Sequence, residues 1–180
     1  MQVFKSLLIT GLIVFVSASA FIFSGWYPIG ADDQHTAVVY WALETLRERS
    51  VEHASKDLVV PALNDSKLLL LGGPDYNEMC AGCHLKPGRS ESDMSLGLYP
   101  VPPDLTVSHG QHSEDHAGPA QRFWVIKHGI KASGMPAWGL THDDQRIWAM
   151  VAFIQKLPEL TPLQYQILTA RTSGDTVHDH

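Results

Sequence analysis

The sequence predicts an all-α fold with a membrane anchor at its N-terminus, and three observations predict it. Apolar residues recur at helical spacing late in the chain, where Ile147, Trp148, Val151, Ile154 and Leu157 form one stripe ended by Pro158. No alternation of strands with helices, as a parallel sheet requires, runs through the rest. Near the start, Ser6 to Ala31 carries no charged residue. The composition is that of a globular protein, 44% hydrophobic and 18% charged, and the formal net charge of −6 is the wrong sign for a nucleic-acid surface. It suits a partner with a positive docking surface.

Residues 1–30 form a membrane anchor or signal segment. Leu7 to Phe23 is largely apolar with Lys5 before it, and Ala18-Ser19-Ala20 resembles a signal-peptidase site. Phe21-Ile22-Phe23 continues the apolar run past that site, and Trp26-Tyr27 falls where an interfacial aromatic belt would end a span. The reading favoured is an uncleaved anchor, with a cleaved signal as the alternative. In either case the remainder is exported, and Lys5 keeps the N-terminus on the cytoplasmic side.

Residues 31–62 read as a connecting helix and linker. Asp32 and Asp33 are placed at a helix N-terminus, Val39, Leu43 and Leu46 keep helical spacing, and Arg47 and Arg49 sit near the far end, giving a helix from Thr36 to Ser50. His35 and His53 lack companions at metal-ligand spacing and read as solvated or capping residues.

The main domain is expected over residues 63–158. Asn64, Asp65 and Ser66 are helix-start residues ahead of Lys67 to Leu71, Gly72-Gly73-Pro74 reads as a break, and Asp75 starts a short second helix carrying Tyr76 and Met79. That helix leads into Cys80-Ala81-Gly82-Cys83-His84, the spacing of c-type haem attachment. Both thiols project to one side of a turn, where they can add to the two vinyl groups of a porphyrin. His84 follows in place to ligate the iron. A zinc site would need four ligands from paired clusters, and the chain has only two cysteines. A thioredoxin-like pair would need a strand-helix alternation. With both thiols spent on haem, no disulfide staples the fold, so the core must come from helices packed around one covalently bound haem.

After His84 the sequence loses helical character. Tyr99-Pro100-Val101-Pro102-Pro103-Asp104-Leu105 must be extended, and a carbonyl between Pro100 and Pro103 is expected to accept a hydrogen bond from the distal ring nitrogen of His84. His109, His112 and His116 read as part of a solvated loop. Arg122 to His128 reads as a helix closed by Gly129, and Gly134 and Pro136 then display Met135 on a loop, where its thioether could ligate the iron opposite His84. Trp138 could cover a haem edge or bond a propionate. Met94 is the realistic competitor, and His128 or His142 could also serve. Thr141-His142-Asp143-Asp144 starts the closing helix, which is expected to cross the haem-bearing helix near Tyr76. Residues 159–180 read as a short helix begun by Thr161-Pro162, with Leu163, Ile167 and Leu168 on one side, and a disordered tail from Arg171.

The order Cys-Ala-Gly-Cys-His, proline loop, Gly-Met-Pro-Ala-Trp-Gly, and a helix with Trp148 and Phe153 ending at Leu157-Pro158 resembles class I bacterial monohaem cytochromes c. The anchor and the following segment are similar to those of membrane-anchored periplasmic members. The resemblance implies thioether links from Cys80 and Cys83, with His84 and Met135 as axial ligands to one haem c. One departure is that many members have a glycine soon after the histidine, where this chain has Leu85-Lys86-Pro87-Gly88. Filled axial positions leave no site for substrate, so the expected function is electron transfer and not catalysis. The first expectation is a one-electron carrier on the periplasmic side of the inner membrane. Its redox partners would be a donor such as a quinol-oxidising complex or dehydrogenase and an acceptor such as a terminal oxidase or reductase. A haem subunit of a larger membrane oxidoreductase is the alternative, ahead of a haem sensor or peroxidase.

Overall fold

The structure is a computed structural model that describes residues 1–107 and 118–171. His109, His112 and His116, and the tail from residue 172, lie outside the described residues. The described residues are helical with no strands, and they divide into two compact units, Met1–Gln34 and the part from His35 onward.

The first unit is α1 (Gln2–Ser24), ended by Gly25 at φ 66°. Its 23 residues buries none of its side chains in protein. At 1.5 Å per residue it is about 35 Å long, against roughly 30 Å of bilayer hydrocarbon. It is therefore long and apolar enough to cross a membrane.

The second unit contains α2 (Ala37–Ser55), α3 (Ser66–Met79), α4 (Ala81–His84), α5 (Asp93–Gly97), α6 (Pro119–His128), α7 (Asp144–Lys156) and α8 (Pro162–Leu168). Single 3-10 turns at Trp138–Leu140 and Leu157–Glu159 flank α7. α3 and α7 form the principal packing pair, with α6 and α8 against them and α2 against α6. This is the expected class I all-α fold.

Several local expectations change. α2 runs to Ser55 instead of Ser50, and its N-cap is Thr36, so Asp32 and Asp33 lie outside it. A helical stretch also appears after His84: Ser92 caps α5 by accepting from Ser95 N, while Ser95 Oγ accepts from Ser92 N, a reciprocal pair read beforehand only as loop. The cap of α7 is Asp143, whose carboxylate accepts from Arg146 N at 2.9 Å, so the capping shifts two residues from Thr141. In α8 the buried residue is Tyr165, whereas Leu163 and Ile167 are exposed. Arg171 is fixed by a bidentate pair with Glu78 instead of starting a disordered tail.

The largest change is in α3, which runs unbroken through Gly72-Gly73-Pro74. Proline lacks the amide that would continue the ladder, and two glycines weaken a helix further. Tertiary contact overrides both. A Cβ on Gly72 would lie 2.2 Å from the Ala149 carbonyl oxygen of α7, and one on Gly73 would lie 2.3 Å from the Leu168 carbonyl oxygen of α8. The glycines are the surface through which α3 meets two helices backbone to backbone.

Below this contact lies an aromatic cluster. Tyr76 is fully buried, with ring centroids 5.4 Å from Phe153 and 6.4 Å from Tyr165. Such pairs contribute about 0.5–1.5 kcal/mol each beyond their burial. Trp148 stacks on Phe123 at 4.1 Å, joining α7 to α6. Asp75, buried on α3, takes a two-point bond from Arg146 of α7, with Nε to Oδ2 at 3.0 Å.

Two substitutions test this core. Gly72→Ala, which forces the helices apart, is expected to lower unfolding free energy by about 2–3 kcal/mol in urea titrations. Arg146→Met removes the two-point partner of the buried Asp75 and leaves it with the more distant Arg171, 3.8 Å away. It is expected to cost roughly 2–4 kcal/mol, and adding Asp75→Asn should recover part of that loss because the uncompensated charge is gone.

Candidate haem-binding site

Cys80, Cys83 and His84 occupy one continuous turn at the end of α3. Cys80 N donates to Tyr76 O at 2.9 Å, and Cys83 N and His84 N both donate to Cys80 O, at 3.1 and 2.8 Å. Cys80 therefore ends α3 and opens α4. Neither thiol is in a disulfide; Cys80 is buried and Cys83 is partly exposed. Burial, reinforced by the nearby Asp75 and Cys83, pushes the Cys80 thiol up to about 12, so a thiol left there is protonated.

Tyr76 controls where the turn goes next. Its hydroxyl donates to Leu85 O at 2.8 Å and lies 3.3 Å from His84 O. Burial raises its pKa above the ordinary tyrosine value, which keeps the phenol a neutral donor. Leu85 adopts φ 68°, a left-handed conformation that a branched side chain takes at a cost. Its side chain is buried, and the Tyr76 bond holds its carbonyl. Here the chain meets the backbone demand after the histidine with a buried leucine in place of a glycine.

The proline stretch lies as expected. Leu105 N donates to His84 O at 3.2 Å, drawing the stretch alongside the turn. His84 Nδ1 and Pro103 O are 2.9 Å apart. Since a carbonyl only accepts, the imidazole carries its proton on Nδ1, and the lone pair that a metal takes is on Nε2.

Met135 is displayed by the turn after α6. Gly129 ends that helix at φ 65°, and a Cβ on it would meet Met135 O at 2.7 Å. Ile130 N donates to Met135 O at 3.1 Å, and Met135 N donates to Ser133 Oγ at 3.1 Å. Ser133 Oγ in turn donates to Ile130 O at 2.8 Å, closing the loop on itself. Met135, Trp138 and Leu105 all pack, partly buried, against the core cluster that contains Cys80.

The competing ligands lie in other settings. Met94 is on α5 and 55% exposed, while Met150 is sealed inside α7 with no exposure. Met79 packs beside Cys80 in the core cluster. His128 lies with its ring 4.9 Å from Trp124. His142 is buried edge-on to Trp138, with Nδ1 2.8 Å from Thr141 Oγ1. His35 packs on Tyr99, and His53 is exposed on α2. Among the described residues, no cluster of three or more His, Cys, Asp or Glu is arranged to hold a metal.

Sequence reasoning missed Leu98 and Tyr99. A Cβ on Gly134 would sit 2.6 Å from Leu98 Cδ2, so Leu98 covers the loop beside Met135. The bareness of Gly134 was a visible signal, but the residue filling the space was not.

A helical domain closed around a Cys-x-x-Cys-His turn, with its histidine oriented by a proline carbonyl, is similar to class I cytochrome c domains. Residues 70–154 match the family described as cytochrome c oxidase, cbb3-type, subunit III. The matched span covers Cys80, Cys83, His84 and Met135, and the match supports haem-based electron transfer. No curated protein and no solved structure matches the chain significantly.

Leu98 and Gly134 give a direct test of the loop packing. Gly134→Ala is expected to destabilise by about 1–2 kcal/mol, and the double variant with Leu98→Ala should lose less than the sum of the two single losses, as residues in contact do. Thermal unfolding of the four proteins in this cycle measures the coupling.

Proposed function

We propose that this protein is a one-electron carrier holding one haem c through thioether bonds to Cys80 and Cys83. His84 Nε2 and the Met135 sulfur are the axial ligands. The observation that carries this reading is the 2.9 Å approach of His84 Nδ1 to Pro103 O, because a histidine tied back in this way is preset as a metal ligand. The donor set also fits. Two uncrosslinked thiols and an imidazole share one turn, and a thioether stands on a pinned loop against the same core.

Bound there, the haem supplies reversible one-electron chemistry. The residues around it restrict that chemistry. His84 and Met135 would hold the iron between them, which would exclude an exchangeable ligand and raise the reduction potential relative to bis-nitrogen ligation. Trp138, partly buried against the same core, would cover one edge of the haem. The haem domain spans residues 63–158.

The site of action is the periplasmic face of the inner membrane, with α1 as an uncleaved anchor. Tethering keeps the domain near membrane-bound donors and acceptors and raises its effective concentration there. A second reading is a haem subunit of a larger membrane oxidoreductase. It is favoured by the subunit description of the matched family and by exposed Val38, Trp41 and Leu46 on α2. Solubilisation in mild detergent followed by size separation distinguishes the two, since a free carrier runs alone and a subunit runs with the partner oxidase or reductase.

Met135→Ala tests the ligand set. The oxidised protein is expected to lose the weak long-wavelength absorption of an iron–sulfur(thioether) bond. The reduced variant should bind carbon monoxide, and the wild type should not. A wild type that binds carbon monoxide at neutral pH would instead support the sensor or peroxidase alternative. Intact mass of the protein taken from membranes is expected to retain residues 1–20, in accord with an anchor.

A further inference from the structure

The stretch from Leu98 to Pro103 touches both halves of the proposed iron site. At one end Leu98 covers Gly134, next to Met135; at the other, Pro103 O meets His84 Nδ1 at 2.9 Å. Pro100, Pro102 and Pro103 have no backbone N–H, so the stretch has few donors with which to fix itself. Its far end is held by Leu105 N on His84 O and by a local turn in which Asp104 Oδ1 accepts from Thr106 N and Oγ1, at 2.8 and 2.7 Å. Its near end is held by the Tyr99 side chain.

Tyr99 reaches the start of α2. Its hydroxyl accepts from the His35 backbone N–H at 3.3 Å, the His35 ring stands edge-on to it at 5.2 Å, and the Tyr40 ring lies 6.5 Å away. α2 is itself packed on α6, the helix that launches the Met135 loop.

We propose that His35 and Tyr40, acting through Tyr99, clamp the 98–103 stretch so that Pro103 O stays on His84 and Leu98 stays on the Met135 loop. Tyr99 is thus a positioning residue for the redox centre, and the start of α2 belongs functionally to that centre. This rests on the reading of His84 as an axial ligand. A bond from Nδ1 to a carbonyl makes the imidazole a stronger donor to iron, which favours the oxidised state. Loosening the clamp lengthens that bond and favours the reduced state.

The test uses full-length haem-loaded protein in detergent, comparing wild type, Tyr99→Phe, Tyr99→Ala and the core control Tyr165→Phe. Tyr165→Phe loses a 3.0 Å bond to Asn77 and so lowers stability away from the stretch. Two quantities are measured: solvent exchange of the His84 ring N–H by proton NMR in the reduced state, and the oxidised-to-reduced ratio at a fixed applied potential. Tyr99→Ala is expected to speed the exchange about tenfold and to shift the ratio about threefold toward the reduced form. Tyr99→Phe, which keeps the ring contacts and loses the acceptor, should fall between it and wild type, and Tyr165→Phe should match wild type. Exchange and ratio altered no more in Tyr99→Ala than in Tyr165→Phe overturn the clamp. If Tyr99→Ala yields no haem protein, the same comparison with Tyr99→Phe decides. A wild type lacking an iron-bound His84 signature overturns the clamp and the ligation reading together, whereas an iron-bound His84 with insensitive exchange overturns the clamp alone.

Discussion

Gly72 and Gly73 bring α3 against the backbones of α7 and α8 more closely than any side chain would permit, and the position of the Cys80–His84 turn follows from that contact. Tyr76, one turn further along α3, is sealed under Phe153 and Tyr165. From there its hydroxyl reaches the carbonyls of Leu85 and His84 and fixes the chain as it leaves the attachment turn. A rigid helix crossing is in this way converted into a fixed imidazole. The Asp75–Arg146 pair pins the same crossing in angle, because a two-point carboxylate–guanidinium bond tolerates little rotation.

The two sides of the site are held by different means. On the cysteine side, regular helix does the positioning, with successive amides donating to Tyr76 O and Cys80 O. On the Met135 side there is no regular helix, and the loop is closed by Ser133, Ile130 and the turn at Gly129. The stretch between Leu98 and Pro103 joins the two. It has few amides of its own, and its Tyr99 hydroxyl accepts from the N–H of His35, which lies ahead of the matched residues 70–154.

Much of this was legible in the sequence. The helical turn of Cys80 to His84, the loop carrying Met135, the extended prolines and the closing helix each rest on a local rule, and local rules survive folding. The carbonyl that meets His84 was narrowed to residues 100–103 and is that of Pro103. What could not be read is what depends on distant partners. Gly72-Gly73-Pro74 carries a local signal to stop, and only the approach of α7 and α8 reverses it. Leu85 stands where a glycine would be expected, and its left-handed backbone is supported by its own burial and by Tyr76, nine residues earlier. Tyr99 gave no signal at all, since its partners, His35 just ahead of α2 and Tyr40 within it, lie in a segment read as a connector.

The proposed iron site is assembled from a turn, a strap and a loop, in a domain that follows a helix long enough to cross a membrane. The central proposal is that His84 and Met135 are both bound to the iron at once. X-ray absorption at the iron edge of the full-length oxidised protein tests that claim most directly. The account predicts a six-coordinate iron with five nitrogen neighbours and one sulfur neighbour, the sulfur being lost in Met135→Ala. Six light-atom neighbours, or a five-coordinate iron without sulfur, would contradict it.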